Sequence, residues 1–368
     1  MFRKRVVLIS LALALLTGRC RYSVENGGID LSRFREDTTL VTLPEELRGL
    51  VPTNREAARA IRAGHAGRDL RFVIIGDTVS DHNETFKGFL GEIAALDPTP
   101  AFIVHLGDRA GSPVVKSFGA YLKVIEDPPC PILHIDGNHD VREEGERLAR
   151  AFFGDRDFYF DLDGKRFVFM GNSRPRGAHG FSREQLDWLE GALGPSAPAR
   201  KFFFAHVPPR APFKKIDPGL ASLLTPAVEN EEEFLNILSR HHVVLAAFGH
   251  RHVHAELVYN GVLMVITGGG GQRNFLDPNV KEPLFTKKRH YTLVDLPGSG
   301  FGEPLQGVLS CIGSHYESLF VSSFSQPGLL SSDADLTVAL RPYPASDLVL
   351  VRPGIPSAAG LTVSSRTP

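Results

Sequence analysis

The chain has 368 residues, 42% hydrophobic and 23% charged, with a formal net charge of -1, the composition of a globular protein of one large or two ordinary domains. The near-neutral balance excludes a general nucleic-acid binder, which needs a basic surface to neutralise phosphates, while leaving room for a local basic pocket. The three cysteines, Cys20, Cys130 and Cys311, are far apart and form no CxxC, which argues against a thiolate zinc site or a disulfide framework; with fourteen histidines present, metal chemistry is expected to use nitrogen and oxygen ligands.

The basic cluster Arg3-Lys4-Arg5 precedes an apolar run from Val6 to Leu16, about half of the ~20 residues a membrane-spanning helix needs. Residues 1–20 therefore read as a signal peptide, with an uncleaved N-terminal anchor as the alternative, and the protein is expected to be exported to the periplasm or beyond. Cys20 follows Leu16-Thr17-Gly18-Arg19, which resembles a bacterial lipoprotein box, but Arg19 stands where a small residue is expected, so lipid attachment is the lesser alternative. Residues 21–69 read as an extension or linker, with helical patterning near Arg55–Ala63.

From Arg71 the pattern changes. RFVIIG (71–76), AFIVHLG (101–107) and PILHIDG (131–137) are short apolar runs of buried-strand type. Between them lie helical stretches, one with Phe86, Phe89, Leu90 and Ile93 on one face and one over Pro113–Glu126. Strands alternating with helices imply βαβ crossovers and a largely parallel sheet. Phe158–Asn172 is expected to be a hairpin turning at Asp163-Gly164. Ser182–Leu193 opens with a capping box, Ser182 to Gln185, and continues as an amphipathic helix. KFFFAH, VVLAAFGH and VLMVITGGG supply three more strands, and HYTLVDL (290–296) a last one. The catalytic domain is thus placed at 70–297. Residues 298–368, rich in Ser, Gly, Pro and Leu without a clear period, are expected to form a weakly ordered tail.

Several strands end in the same way. Gly76-Asp77, Gly107-Asp108 and Gly137-Asn138-His139-Asp140 follow the first three strands, at intervals of about thirty residues, one βαβ repeat. Polar residues just past the carboxyl ends of neighbouring parallel strands converge in the crevice where open α/β sheets bind ligands. A preceding glycine lets the backbone turn tightly there. Two later strands end in His206 and in Gly249-His250-Arg251-His252. Carboxylate, amide and imidazole groups delivered to one edge suit Mn, Fe or Zn. A carboxylate shared by two ions would make a two-metal phosphoryl-transfer site.

The ordered set GD, GD, GNHD, H and GHRH over Asp77 to His252 resembles the signature of the calcineurin-like metallophosphoesterase superfamily. The resemblance implies a four-layer α/β/β/α sandwich, two mixed sheets flanked by helices, and a metal-dependent phosphoesterase that hydrolyses mono- or diesters by attack of a metal-bridging hydroxide. Carried over by position, Asp77 and His252 would hold one divalent ion, Asp108 would bridge, and Asn138, His206 and His250 would hold the second. His139 would act over the substrate as general acid or phosphate donor, oriented by Asp140. The expected partner is a small phosphorylated substrate.

One departure stands out. The superfamily pattern opens with DxH, and here the triplet is Asp77-Thr78-Val79. Valine ligates no metal, so His82 or Asp81 would have to substitute, or the first ion binds weakly. A degenerate relative that binds a phosphorylated ligand without turnover is the alternative function. His105, His134 and His254 lie in apolar strands and read as core or supporting histidines. His65 and His179 carry no signal. Arg109 and Arg251, beside ligands, are candidates for phosphate contact or for ordinary ion pairs. Gly268–Gln272 reads as a loop leaving a strand near the metal edge, since it lacks the Lys and Ser/Thr of a P-loop. No nucleophile elbow is present, and no dinucleotide fingerprint follows a strand, so a nucleotide cofactor is not expected.

Overall fold

The computed structural model describes residues 47–271 except 48, 66, 68, 80–83, 177–178 and 213–227, together with 285–286, 289–296 and strands at 305–313, 316–324 and 336–341. The first sheet is built on three parallel strands, β1 (Leu70–Ile75), β2 (Phe102–His105) and β3 (Ile132–His134). The second contains β4 (Phe158–Leu162), β5 (Lys165–Phe169), β6 (Arg200–Phe204), β7 (Val243–Phe248), β8 (His254–Tyr259), β9 (Val262–Thr267) and β10 (Phe285–Thr286). Its spatial order is β10-β8-β9-β7-β6-β5-β4, with β5, β6, β7 and β9 parallel. β11 (His290–Leu296) returns to the first sheet antiparallel to β1.

Alternate residues of the central strands face opposite ways, and both faces are apolar, so each sheet is covered on two sides. Phe72 and Ile74 of β1 point between the sheets, where they join Phe102, Phe167, Phe202 and Phe204 in one core. Val73 and Ile75 point outward against Phe86 of α2 (Glu84–Ala94), Phe118 of α3 (Val115–Val124) and Leu148 of α4 (Gly145–Phe153). Val168, Phe203 and Ala246 of the second sheet pack on Leu186 and Leu189 of α5 (Arg183–Leu193) and Phe234 of α6 (Glu231–Arg240). The result is the α/β/β/α sandwich. The β4–β5 hairpin turns at Asp163 (φ 47°) and Gly164 (φ 71°), the two left-handed residues that a type I′ turn requires. The capping box of Ser182 and Gln185 opens α5.

At both ends the structure describes elements outside residues 70–297. The segment before residue 70 is part of the fold from Leu47 onward. Helix α1 (Asn54–Gly64) starts at a Thr53/Glu56 capping box and buries Ala57, Ala58 and Ile61 in the inter-sheet core. Asn54 pairs with the backbone of His134 in both directions, at 2.9 and 2.7 Å, and so satisfies the outer edge of β3. The helical patterning near Arg55–Ala63 falls within this helix; its small apolar residues, scattered among arginines, do not show that it joins the core. The tail after Pro297 contains β12 (Leu305–Gly313), β13 (Tyr316–Phe324) and β14 (Leu336–Arg341), which extend the first sheet beyond β11 as antiparallel neighbours. Runs such as Val308–Ile312 and Leu319–Val321 carry strand-forming residues, although serines interrupt them. The N-terminal 1–46, with the signal or anchor, lie outside the described residues. Among those described, no helix is long and apolar enough to cross a membrane.

Candidate metal centre

The site forms where the parallel strands of both sheets run out. Asp77, Asp108 and His250 sit immediately past β1, β2 and β7 with φ of 58°, 55° and 66°, a left-handed conformation that is uncommon outside glycine and costs conformational energy. The turn reverses the chain just after the strand and keeps these side chains at the sheet edge. Backbone bonds stitch the turns together: Asp77 N donates to Gly107 O at 2.9 Å, Gly249 N to His206 O at 2.9 Å, and Gly270 N to Gly76 O at 2.9 Å. Glycine is required where these turns meet. A Cβ on Gly137 would lie 2.1 Å from Asp108 Oδ1, and one on Gly249 or Gly268 would lie 2.7 Å from Asp77 Oδ2.

All six residues read as metal ligands meet at this edge. Ligand atoms of Asp77, Asp108 and His206, all buried, lie within 4.8 Å of one another. Asn138 Oδ1 is 3.0 Å from His206 Nε2 and 2.7 Å from His250 Nδ1. His206 Nε2 is 3.5 Å from Asp108 Oδ1, and His252 Nε2 is 3.5 Å from Asp77 Oδ1. His206 Nδ1 donates to the Leu106 carbonyl at 2.7 Å, which turns its Nε2 lone pair towards the cluster.

This donor set fits divalent cations. Asp77 Oδ1 is buried and accepts no hydrogen bond. The His206 lone pair faces the Asn138 carbonyl oxygen with no proton required between them by any other contact. Burial pushes the Asp77 carboxyl up, against the pull of His252 and His206. Burial also holds the His250 imidazole well below its usual range, assisted by the neighbouring His206 and Arg251, so it stays neutral. Buried acceptors without matching donors are costly. A divalent ion relieves that cost, and a mixture of carboxylate, amide and imidazole suits Mn, Fe or Zn.

His139 is half-exposed at the rim. Its backbone N–H donates to Asp108 Oδ1 at 2.8 Å, and its ring Nε2 lies 4.0 Å from Asp108 Oδ2. Its Nδ1 is 3.5 Å from Gly111 O. Asp140 does something other than orient this ring. Its buried carboxylate accepts from the backbone N–H groups of Asp108, Gly137, Arg109 and Ala110 at 2.8, 2.9, 3.0 and 3.1 Å. It also pairs with Arg109 Nη2 at 3.3 Å. Asp140 therefore braces the two turns that carry Asp108 and Asn138. A short side chain one residue after His139 is aimed back into its own turn, out of reach of the ring.

Of the two roles open to Arg109, phosphate contact or ion pair, the structure shows the ion pair. Arg109 is fully buried, pairs with Asp136 at 2.5 Å, and lies over the Phe153 ring at 4.3 Å. Arg251 is half-buried beside the ligand pair, with burial lowering its pKa against the pull of Asp77. Val79 brings only methyl groups: Val79 Cγ1 would touch a Cβ on Gly111 at 3.1 Å. Asp81 and His82 lie outside the described residues. His105 links the turns, with Nε2 2.9 Å from Thr78 Oγ1 and Nδ1 accepting from Gly107 N at 3.2 Å. His134 bonds Tyr121 Oη at 3.0 Å and stacks on Phe153. His254 pairs with Glu256 at 2.5 Å on β8, and His65 with Asp163 at 3.0 Å. Gly268–Gly271 packs against Gly76 and Asp77, and Gln272 lies outside the described residues.

Sequence reasoning missed three residues here. Asn172 Oδ1 accepts from the backbone of His206 and Val207 at 3.2 and 2.9 Å, fixing the strand end that carries His206. Its Gly171-Asn172 dipeptide repeats the strand-end pattern and was the available signal. His179 places its ring 5.9 Å from that of His250, and Arg142 reaches His139 Nε2 at 3.4 Å. Neither carries a local motif of its own.

Residues 70–254, half of the chain, match the family model for calcineurin-like phosphoesterase. A curated relative, the probable cyclic nucleotide phosphodiesterase of Synechococcus sp., is 28% identical over 157 residues, 42% of this chain and 58% of that protein. The chain thus spans under two thirds of that relative's length. Among solved structures, purple acid phosphatase PPD1 from yellow lupin (Lupinus luteus) seeds superposes with a TM-score of 0.50 at 16% identity, over 80% of this chain and 58% of that one, which is a likeness of fold.

Proposed function

Because the chain belongs to the calcineurin-like phosphoesterase family, we propose that it is a metal-dependent hydrolase of small phosphate mono- or diesters. The observation that carries this reading is the buried cluster of Asp77, Asp108 and His206, short of positive charge and joined to Asn138 and His250. Asp77 and His252 would hold one ion and Asn138, His206 and His250 a second, with Asp108 placed to serve both. When bound, two such ions supply a nucleophile at neutral pH and neutralise charge developing on the phosphoryl oxygens. His139 presents Nε2 at the exposed rim, 4.0 Å from Asp108 Oδ2. From there it would give a proton to the leaving oxygen. Asp140 and Asn172 act at one remove, by fixing the turns that carry Asp108, Asn138 and His206.

The curated relative's name points to a cyclic phosphodiester as one substrate worth including. The basic cluster and apolar run at the N-terminus support action after export, in the periplasm or outside the cell, with the N-terminus as the only expected membrane or lipid attachment. A second reading rests on Val79, which leaves the first ion one imidazole short: a family member that binds one ion and a phosphorylated ligand without turnover. The two readings separate in one experiment. The protein is stripped with chelator, reloaded with Mn²⁺, and assayed on an aryl phosphate monoester, an aryl diester and a cyclic nucleotide, with metal content by elemental analysis. Chelator-sensitive turnover with two equivalents of metal is expected. One equivalent and no rate above background would transfer the assignment to the second reading.

A further inference from the structure

We propose that Arg142 is a substrate-binding residue whose guanidinium holds a non-bridging oxygen of the phosphate at the metal edge; this rests on the phosphoesterase reading and adds a residue to it. Arg142 lies three positions after His139 on a turn with little freedom. Gly145 N donates to Arg142 O at 2.8 Å, and a Cβ on Gly145 would lie 2.0 Å from Asp140 O. Four backbone N–H groups converge on the Asp140 carboxylate beneath the same turn. The backbone of Arg142 is therefore set by the same brace that sets the metal ligands.

Its side chain has passed over the obvious partners. Glu144 pairs with Arg147 at 3.1 Å and Glu146 with Arg156 at 2.5 Å. Among the described residues no carboxylate pairs with Arg142. Its guanidinium instead meets His139 Nε2 at 3.4 Å, the ring atom that also faces Asp108 at 4.0 Å. The guanidinium thus stands without a carboxylate partner among the described residues, beside the ring atom that faces Asp108, and an anion held between the two would accept from it. A phosphate oxygen at this rim has that position and charge, and a guanidinium suits phosphate geometry better than an ammonium does.

Inorganic phosphate is the probe. Its binding to the Mn²⁺-loaded full chain is measured by titration calorimetry, beside kcat and KM for the aryl monoester, for wild type, Arg142→Lys and Arg142→Ala. Arg142→Ala is expected to weaken phosphate binding at least tenfold and to raise KM more than it lowers kcat, with metal content and melting temperature unchanged. Arg142→Lys should recover part of the loss. Phosphate affinity within twofold of wild type in Arg142→Ala would overturn the proposal, as would a wild type that binds no phosphate. Arg142-dependent phosphate binding in a wild type without turnover would instead retain this residue's role and reject the hydrolase.

Discussion

Asp140→Asn separates a bracing role from a catalytic one. The amide keeps one acceptor oxygen and replaces the other with an NH₂ group. Whichever way it turns, two of the four backbone donors, either Asp108 and Gly137 or Arg109 and Ala110, lose their acceptor. Each buried donor left unsatisfied costs roughly 1–3 kcal/mol. Arg109, fully buried, also loses one of its two carboxylate partners, and breaking a buried pair costs about 3–5 kcal/mol. Asp136 still pairs with Arg109, so that last cost is largely avoided, and the two donors, at the middle of their range, set a total of about 3–5 kcal/mol, a large part of the ~5–15 kcal/mol that holds a domain together. At roughly 2–4 °C per kcal/mol for a domain of this size, circular dichroism should record a melting temperature lower by about 6–20 °C, with metal affinity reduced in parallel. An unchanged melting temperature with turnover lost would refute the bracing account and return Asp140 to the chemistry.

Three further outcomes follow from the same contacts. His139→Ala should lower kcat by about 10²–10⁴ while Mn²⁺ content measured by elemental analysis stays at the wild-type level; lost metal would show that the ring is a ligand. Gly268→Ala sets a Cβ 2.1 Å from Arg251 O and 2.7 Å from Asp77 Oδ2, so calorimetric Mn²⁺ affinity should fall tenfold or more. Gly88→Ala, which meets nothing within 4 Å, should stabilise α2 by about 0.5–1 kcal/mol; equal effects from both glycines would exclude the steric explanation. Burial first, then Arg109, holds the His105 and His134 imidazoles well below 6.5. The unfolded chain therefore takes up protons that the folded one refuses, and their stability contribution, complete above about pH 6.5, is lost as pH falls. The slope is at most about 1.4 kcal/mol per pH unit per histidine. Urea unfolding at pH 7.5 and 5.5 should show a smaller acid loss in His134→Gln than in wild type, and equal losses would contradict the assignment.

The site was legible because its pattern is written at strand ends. Glycine followed by a metal-binding side chain, after a run such as Phe102–Leu106 buried on both faces, states both the element and where its last residue lands. The same pattern at Gly171-Asn172 serves a different end, since the asparagine accepts from the backbone of His206 and Val207. Supporting residues are harder to see. Asp140 and His139 are neighbours in sequence, and only the fold shows that the carboxylate turns inward to four amides while the ring turns outward. Arg109 reads as a phosphate contact or an ion pair from its place beside Asp108, and that place does not reveal its burial against Phe153. The pattern of helix α1 is visible near Arg55–Ala63, but its place in the core is not, because arginines dilute its apolar face; serines likewise dilute the strands after Pro297, where cross-strand pairing decides the local structure.

Val79 makes the two halves of the centre unequal. On one side Asp108 would be joined by Asn138, His206 and His250; on the other, by Asp77 and His252, with a valine at the position where the superfamily pattern has a second imidazole. Fewer ligands mean less compensation for stripping water from the ion, so the two sites should fill in sequence as metal is added. Val79 is only half-buried and its methyl groups face Gly111, which carries no side chain to displace. Val79→His should therefore be tolerated and should tighten the weaker equivalent by about tenfold or more, equivalent to ~1.4 kcal/mol, with the tighter equivalent unchanged in a calorimetric Mn²⁺ titration. Two equivalents of equal affinity in the wild type, or a Val79→His variant that changes neither, would mean that the missing imidazole has been replaced within this chain and that the asymmetry does not exist.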